Sequence, residues 1–187
     1  MQTTSGTSLS GSDPDSEPKD PSPRPRRLGL LVAVAVVAYT IDVVTKTYAV
    51  SSLAGQAPVE VLGDFLQLRL TRNPGAAFSL GTSATLALSL ISIVVVGVVL
   101  WVGRKVVSPL WAVALGLLLG GAMGNLTDRV LRAPAPEHLL QGHVVDFLEL
   151  PHWPVFNMAD SAIVLAASLI ILQSFRGVQI DGGRTRQ

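Results

Sequence analysis

Four long apolar runs separated by short polar stretches decide most of what this chain can fold into. Residues 28–50 are nearly uninterrupted hydrocarbon, about 34 Å as a helix at ~1.5 Å per residue, which is enough to cross a bilayer. Further runs cover 84–102, 108–125 and 155–175. A signal peptide is the rival reading of the first run, since Arg24, Arg26 and Arg27 precede it, but the three runs that follow favour a retained anchor. Only 14% of the 187 residues are charged, against roughly a quarter in a soluble domain. The chain reads as an integral membrane protein, mainly α, with four transmembrane helices.

Four crossings put both termini on one side. Lys19, Arg24, Arg26 and Arg27, then Arg104 and Lys105, then Arg176, Arg184 and Arg186 all fall there, which makes that side the cytoplasm. Trp101 and Trp111 flank the Arg104/Lys105 turn as interfacial aromatics, with Tyr48 and Trp153 toward the opposite surface. Residues 1–27, rich in Ser, Pro, Asp and Gly, read as a disordered cytoplasmic tail. Residues 28–175 form the four-span domain, and 176–187 a cytoplasmic C-terminal tail. No internal repeat is visible.

Two segments remain outside, 51–83 and 126–154. In the first, Leu66, Leu68 and Leu70 alternate with Phe65, Gln67, Arg69 and Thr71, the period of a half-buried strand. Residues 59–62 can pair with it through a two-residue turn at Gly63-Asp64, predicting a small antiparallel hairpin. Residues 143–150 are strand-like, and Pro151 and Pro154 break them before the fourth span.

Ionisable and amide side chains are costly in hydrocarbon, so those at span ends carry the functional information. Asp42 and Lys46 lie at i and i+4 on one helix face, where a mutual salt bridge is the simplest reading. Asn125, Asp128 and Arg129 mark the outer end of the third span, and Asn157 and Asp160 the start of the fourth. Because the spans alternate in direction, all of these groups arrive at one membrane face. Gly116, Gly120 and Gly124, with Gly121 beside them, form a stripe suited to close packing against a neighbouring span.

The chemistry open to this cluster is narrow. The chain has no Cys, which removes a thiol nucleophile and Cys-ligated metals, and Lys46, the membrane-side candidate base, already has Asp42. His138, His143 and His152 lack metal-site spacing, so no metal and no cofactor is expected. A net charge of +1 gives no footprint for nucleic acid. Two aspartates sharing a site need only a water: one holds a proton while the other draws one.

The segments NPGAAF at 73–78, GGAMGNLTDR at 120–129, VVDF at 144–147 and FNMAD at 156–160, with Asp42 and Lys46 upstream, resemble the motif set of lipoprotein signal peptidase, or signal peptidase II. The resemblance runs from about residue 28 to 175. It implies an aspartyl endopeptidase of the bacterial cytoplasmic membrane, with its site at the outer face under a small extracytoplasmic antiparallel β cradle. Its substrates would be prolipoproteins, cleaved before a diacylglyceryl-modified cysteine, with membrane lipid as the other partner. By the same resemblance Asp146 and Asp160 are the catalytic pair. Asn73, Gly75, Asn125, Arg129 and Asn157 hold the substrate backbone or order the site, Asp128 pairs around Arg129, and Asp42 and Lys46 support them. Which aspartate carries the proton stays open, because a coupled pair titrates as a unit. Relative to that family, 131–142 is long and the stretch from Asp146 to Asp160 is short.

The alternative is a small transporter or channel. Such proteins keep their ionisable groups near the midplane between repeats, whereas here they gather at one surface. A purely structural subunit would leave the Asp and Asn cluster without a purpose.

Overall fold

The computed structural model describes residues 26–75, 82–133 and 139–183. The tail through residue 25, residues 76–81 with the end of the NPGAAF segment, residues 134–138 with His138, and Arg184 and Arg186 lie outside the described residues. Four helices are long and apolar enough to cross a membrane: α1 (Leu28–Leu53), α2 (Thr82–Gly103), α3 (Pro109–Leu131) and α4 (Met158–Phe175). Three short strands accompany them: β1 (Val59–Glu60), β2 (Gln67–Asn73) and β3 (Val144–Glu149).

The helices differ from the hydropathy reading at several ends, and two of these differences, at the end of α3 and the start of α4, have a local reason at the polar cluster. α3 runs past Asn125 to Leu131, because Asn125 and Asp128 find partners inside the protein and do not force it to end. α4 starts at Met158 because Asn157 caps it. The Asn157 side chain accepts from Asp160 N, and the Asp160 carboxylate accepts from Asn157 N.

α3 is the central helix. Of its most apolar stretch 56% is buried, against 17–22% for the other three helices, whose outer faces are left for lipid. The glycine stripe explains the closeness of the packing. A Cβ at Gly116 would strike Leu31 O and Val34, and one at Gly120 would strike Ala35 O and Ala38. At Gly124 it would meet the Asp42 carboxylate, so these three glycines all face α1. Gly121 faces α4 instead, against Ala159 O and Ile163. The stripe therefore works within the chain, as its sequence suggests.

At one end of the bundle the backbone ties the start of α1, the α2–α3 turn and the segment after α4 together. Arg27 N donates to Val106 O at 2.8 Å, and Val107 N and Ser108 N donate to Ile180 O at 2.9 and 3.3 Å. At the other end lies an antiparallel sheet in the order β1-β2-β3. The expected hairpin is present: Val59 pairs with Leu68 and Glu60 with Gln67. Phe65 N donates to Leu62 O across Gly63 and Asp64, with Gly63 at φ +51°, a conformation that glycine adopts without strain.

β3 then adds to β2, from Gln67 opposite Glu149 to Asn73 opposite Val144, with a bulge between Leu68 and Thr71. The bulge shifts the register by one residue and breaks the simple alternation seen in sequence. Leu68, Leu70 and Leu148 pack on Ala49, Leu53 and Phe147, which docks the sheet on the last turns of α1.

Candidate active site

The sheet and three helix ends bring one set of polar side chains together beneath β2 and β3. Asp146 sits on β3, opposite Thr71 and near the end of β2, and is 2% exposed. After β3 the chain reverses sharply: Phe147 N and Leu148 N both donate to Phe156 O, and Phe156 N donates back to Leu148 O. This tight return, with His152 at φ +61°, sets Asn157 directly beside Asp146. The short Asp146-to-Asp160 stretch is thus long enough.

Asn157, wholly buried, is the joint of the cluster. Its Nδ2 donates to Asp146 Oδ1 at 2.6 Å and to Asn125 Oδ1 at 3.2 Å, while its backbone N donates to Asp160 Oδ2 at 3.2 Å. Asn125 Nδ2 donates to the other oxygen, Asp160 Oδ1, at 2.9 Å. Asn73 Nδ2 donates to Asp146 Oδ2 at 2.9 Å, and Asn73 Oδ1 in turn accepts from Gly75 N at 2.8 Å. Each carboxylate therefore has both oxygens held by donors. Burial pushes the Asp146 carboxyl up to about 6, opposed by the Asn73 and Asn157 amides, helped by the nearby Asp160 charge and opposed by Lys46.

Beneath this layer lies a buried charge network. Lys46 Nζ is 2.7 Å from Asp42 Oδ2, 3.1 Å from Asp128 Oδ2 and 2.9 Å from Asn125 Oδ1. Asp42 Oδ1 accepts from Ala159 N at 2.8 Å, in the first turn of α4. The pair foreseen at i and i+4 is real, but it is more than a local salt bridge, because it ties α1 to both α3 and α4.

Asp128 corrects the expectation that it pairs with Arg129. It bonds Lys46 through Oδ2, accepts from Val145 N at 3.0 Å, and pairs with Arg132 Nε one turn further along α3. The i, i+4 spacing of Asp128 and Arg132 is the sequence signal for this pair, and Arg132 falls beyond the apolar run. Arg129 is left differently placed. It is 7% exposed, and its Nε and Nη1 are buried with no hydrogen-bond partner among the described residues.

Gly142 is a supporting residue that sequence reading missed. A Cβ there would strike the Asp128 and Arg132 carbonyl oxygens, so only glycine lets the chain pass over the end of α3 on its way into β3. Beside the cluster, a cleft of about 590 Å³ runs from Asn73 and Asp160 along α4 past Val164 and Leu165, with Trp153 on its rim. No group of three or more His, Cys, Asp or Glu suited to a metal occurs among the described residues.

Comparison with known proteins shows the family and the fold. The family described as signal peptidase (SPase) II matches residues 34–176. The lipoprotein signal peptidase of Mycobacterium tuberculosis (strain ATCC 25618 / H37Rv) is 50% identical over 165 residues, covering 88% of this chain and 80% of that protein. That of Rhodococcus jostii (strain RHA1) is 48% identical over 169 residues, covering 90% and 83%. Two solved structures of bacterial membrane enzymes, at 1.9 and 2.3 Å, are similar in fold. Their TM-scores are 0.71 and 0.68 at 28% and 26% identity, and they cover 82% and 88% of this chain and 97% and 98% of their own.

Proposed function

The chain belongs to the signal peptidase II family, and on that premise we propose that it is an aspartyl endopeptidase whose catalytic pair is Asp146 and Asp160. Its function as a multi-pass membrane signal peptidase II of a bacterium follows from the family and the four spans. The transporter reading is not favoured. The observation that carries the catalytic assignment is Asn157, which donates to both aspartates and so holds them as one unit.

The substrate is a prolipoprotein, cut before a diacylglyceryl-modified cysteine at the outer face of the cytoplasmic membrane, with both termini of the enzyme in the cytoplasm. The basic residues at the end of the bundle remote from the aspartates support this orientation. The cleft along α4 supports lateral entry, since its apolar wall continues from the polar cluster into the membrane.

Asp160, held beside Asp146 through Asn157, acts as the base. Asp146, buried on β3, holds the proton. Asp160 takes a proton from a water, whose oxygen attacks the scissile carbonyl carbon while Asp146 donates to the carbonyl oxygen. Collapse of the tetrahedral intermediate returns that proton to Asp146 and passes the one on Asp160 to the leaving cysteine nitrogen. The products are a signal peptide with a free carboxylate and a lipoprotein with an N-terminal cysteine. Arg129, whose Nε and Nη1 are buried with no hydrogen-bond partner among the described residues, holds substrate carbonyl oxygens. Asn73, Asn125 and Asn157 order the pair, Gly75 fixes Asn73, and Asp42, Lys46 and Asp128 support them from below.

The test is incubation of the purified chain in detergent with a diacylglyceryl-modified prolipoprotein. Loss of the signal peptide is expected, and Asp146→Asn and Asp160→Asn should each prevent it. Equal turnover of an unmodified precursor would remove the lipid requirement and point to a general signal peptidase.

A further inference from the structure

A second cleft, of about 480 Å³, lies at the end of the bundle remote from the aspartates, between the end of α2, the start of α3 and the turn that follows α4. Its walls combine apolar surface with a cation. Trp101, 63% exposed, carries Lys105 Nζ at 5.2 Å from its ring centroid, and Trp111 forms the facing wall. The cleft is a built feature of the fold. Trp111 Nε1 donates to Val178 O at 2.8 Å, and Ile180 O accepts from the Val107 and Ser108 N–H groups, which hold the turn after α4 against the α2–α3 turn.

Basic residues predominate around the cleft, whose own lining includes Lys105 and Asp181. Arg26, Arg27, Arg104, Lys105 and Arg176 all lie at this end, and among the described residues Asp181 is the acid beside them. Asp181 Oδ1 accepts from Gly183 N at 3.0 Å and so is turned into its own loop. Lys105 makes no ion pair among the described residues. Its ammonium is available to a ligand.

We propose that this cleft binds the headgroup of an anionic phospholipid from the leaflet opposite the aspartates. Two tryptophans beside a lysine at a helix end match the depth of the glycerol and phosphate region, where indoles and snorkelling lysines settle. The cleft supplies what a phosphodiester needs, the Lys105 cation with apolar walls for the first acyl carbons, and Asp181 is held by its own loop. The site is separate from the catalytic cluster, and nothing in it depends on the aspartates.

The test compares lipid adducts on the purified full chain by native mass spectrometry, with phosphatidylglycerol and phosphatidylcholine of identical acyl chains as probes. Phosphatidylglycerol should be retained in preference, and Lys105→Gln should lower that retention about fivefold, in keeping with one basic contact at the membrane surface. Lys105→Arg should restore it, and Arg104→Gln, exposed but outside the cleft, should not reproduce the loss. Peptidase activity should be unchanged in all three. Retention by Lys105→Gln equal to the parent chain, or an equal fall in Arg104→Gln, would overturn the site in favour of diffuse charge. A large gain in retention on deleting residues 1–23 would overturn it in favour of the chain's own acidic tail as the occupant.

Discussion

Lys46 Nζ stands 2.9 Å from Asn125 Oδ1, and because an ammonium can only donate, this contact settles which way the Asn125 amide faces. Asn125 Nδ2 is thereby directed at Asp160 Oδ1, 2.9 Å away. Lys46 also pairs with two buried carboxylates, Asp42 and Asp128, the second of which is shared with Arg132. Lys46→Met should cost about 3–5 kcal/mol, the range for removing one partner of a buried pair. Adding Asp42→Asn should recover part of that loss, because one uncompensated charge then goes. Melting temperatures of the two variants in one detergent check it, and a double variant less stable than the single would contradict the network.

The catalytic assignment predicts a non-additive pattern. Asp146→Asn and Asp160→Asn should each lower the initial cleavage rate by at least ~10³-fold, and the double variant should be hardly worse, because residues acting as one unit lose their function at the first removal. Asp128→Asn should instead lower stability together with activity. Its effect should couple to Arg132→Gln, its observed partner, in a double-mutant cycle. A folded but inactive Asp128→Asn beside an active Asp146→Asn would move the pair to Asp128 and Asp160.

Much of this was legible in the chain because the membrane simplifies the reading. Long apolar runs can only be spans, and a polar group inside or beside one needs a reason, which is why Asp42, Lys46, Asn125, Asn157 and Asp160 stood out before any coordinates. Apart from the Asp42–Lys46 pair, the partners were harder to read. Asp128 has charged neighbours at i+1 and i+4, and only the helix continuing to Leu131 selects Arg132 over Arg129. The pairing of β3 with β2 joins residues more than seventy positions apart and rests on a bulge that no local pattern announces. Gly142 carries no signal until the end of α3 is known to pass beneath it.

The glycine stripe yields a paired stability prediction. Gly124→Ala presses a methyl group into the Asp42 carboxylate and Gly120→Ala into Ala35 O, so each should cost about 1–3 kcal/mol as overpacking does. At Gly97 on α2 a Cβ meets nothing within 4 Å, so Gly97→Ala should be neutral or slightly stabilising through helix propensity. Thermal unfolding of the three variants decides it. Equal loss at Gly97 and Gly124 would mean that the stripe is not what brings α3 to α1.

The pH dependence follows from Asp146, which lies on the sheet and outside the spans. Burial raises its carboxyl from 3.8 to about 6, so the folded protein favours its protonated form. The sign is opposite to that of a salt-bridged aspartate: the stability it contributes is full below 3.8 and is lost as pH rises to about 6. If that proton is the one given to the scissile carbonyl, kcat/KM should decline as pH passes about 6, by up to tenfold per unit, since this parameter reports the free enzyme. With substrate covering the cleft and removing more water, the limb in kcat should lie higher. Asn73 supplies the control. Its Nδ2 donates to Asp146 Oδ2 and favours the ionised form, so Asn73→Ala should move the limb to higher pH while lowering the plateau rate. Full pH profiles of the parent chain and of Asn73→Ala against a lipidated precursor test this. A limb that stays in place or moves to lower pH would mean that Asp146 is not the proton donor.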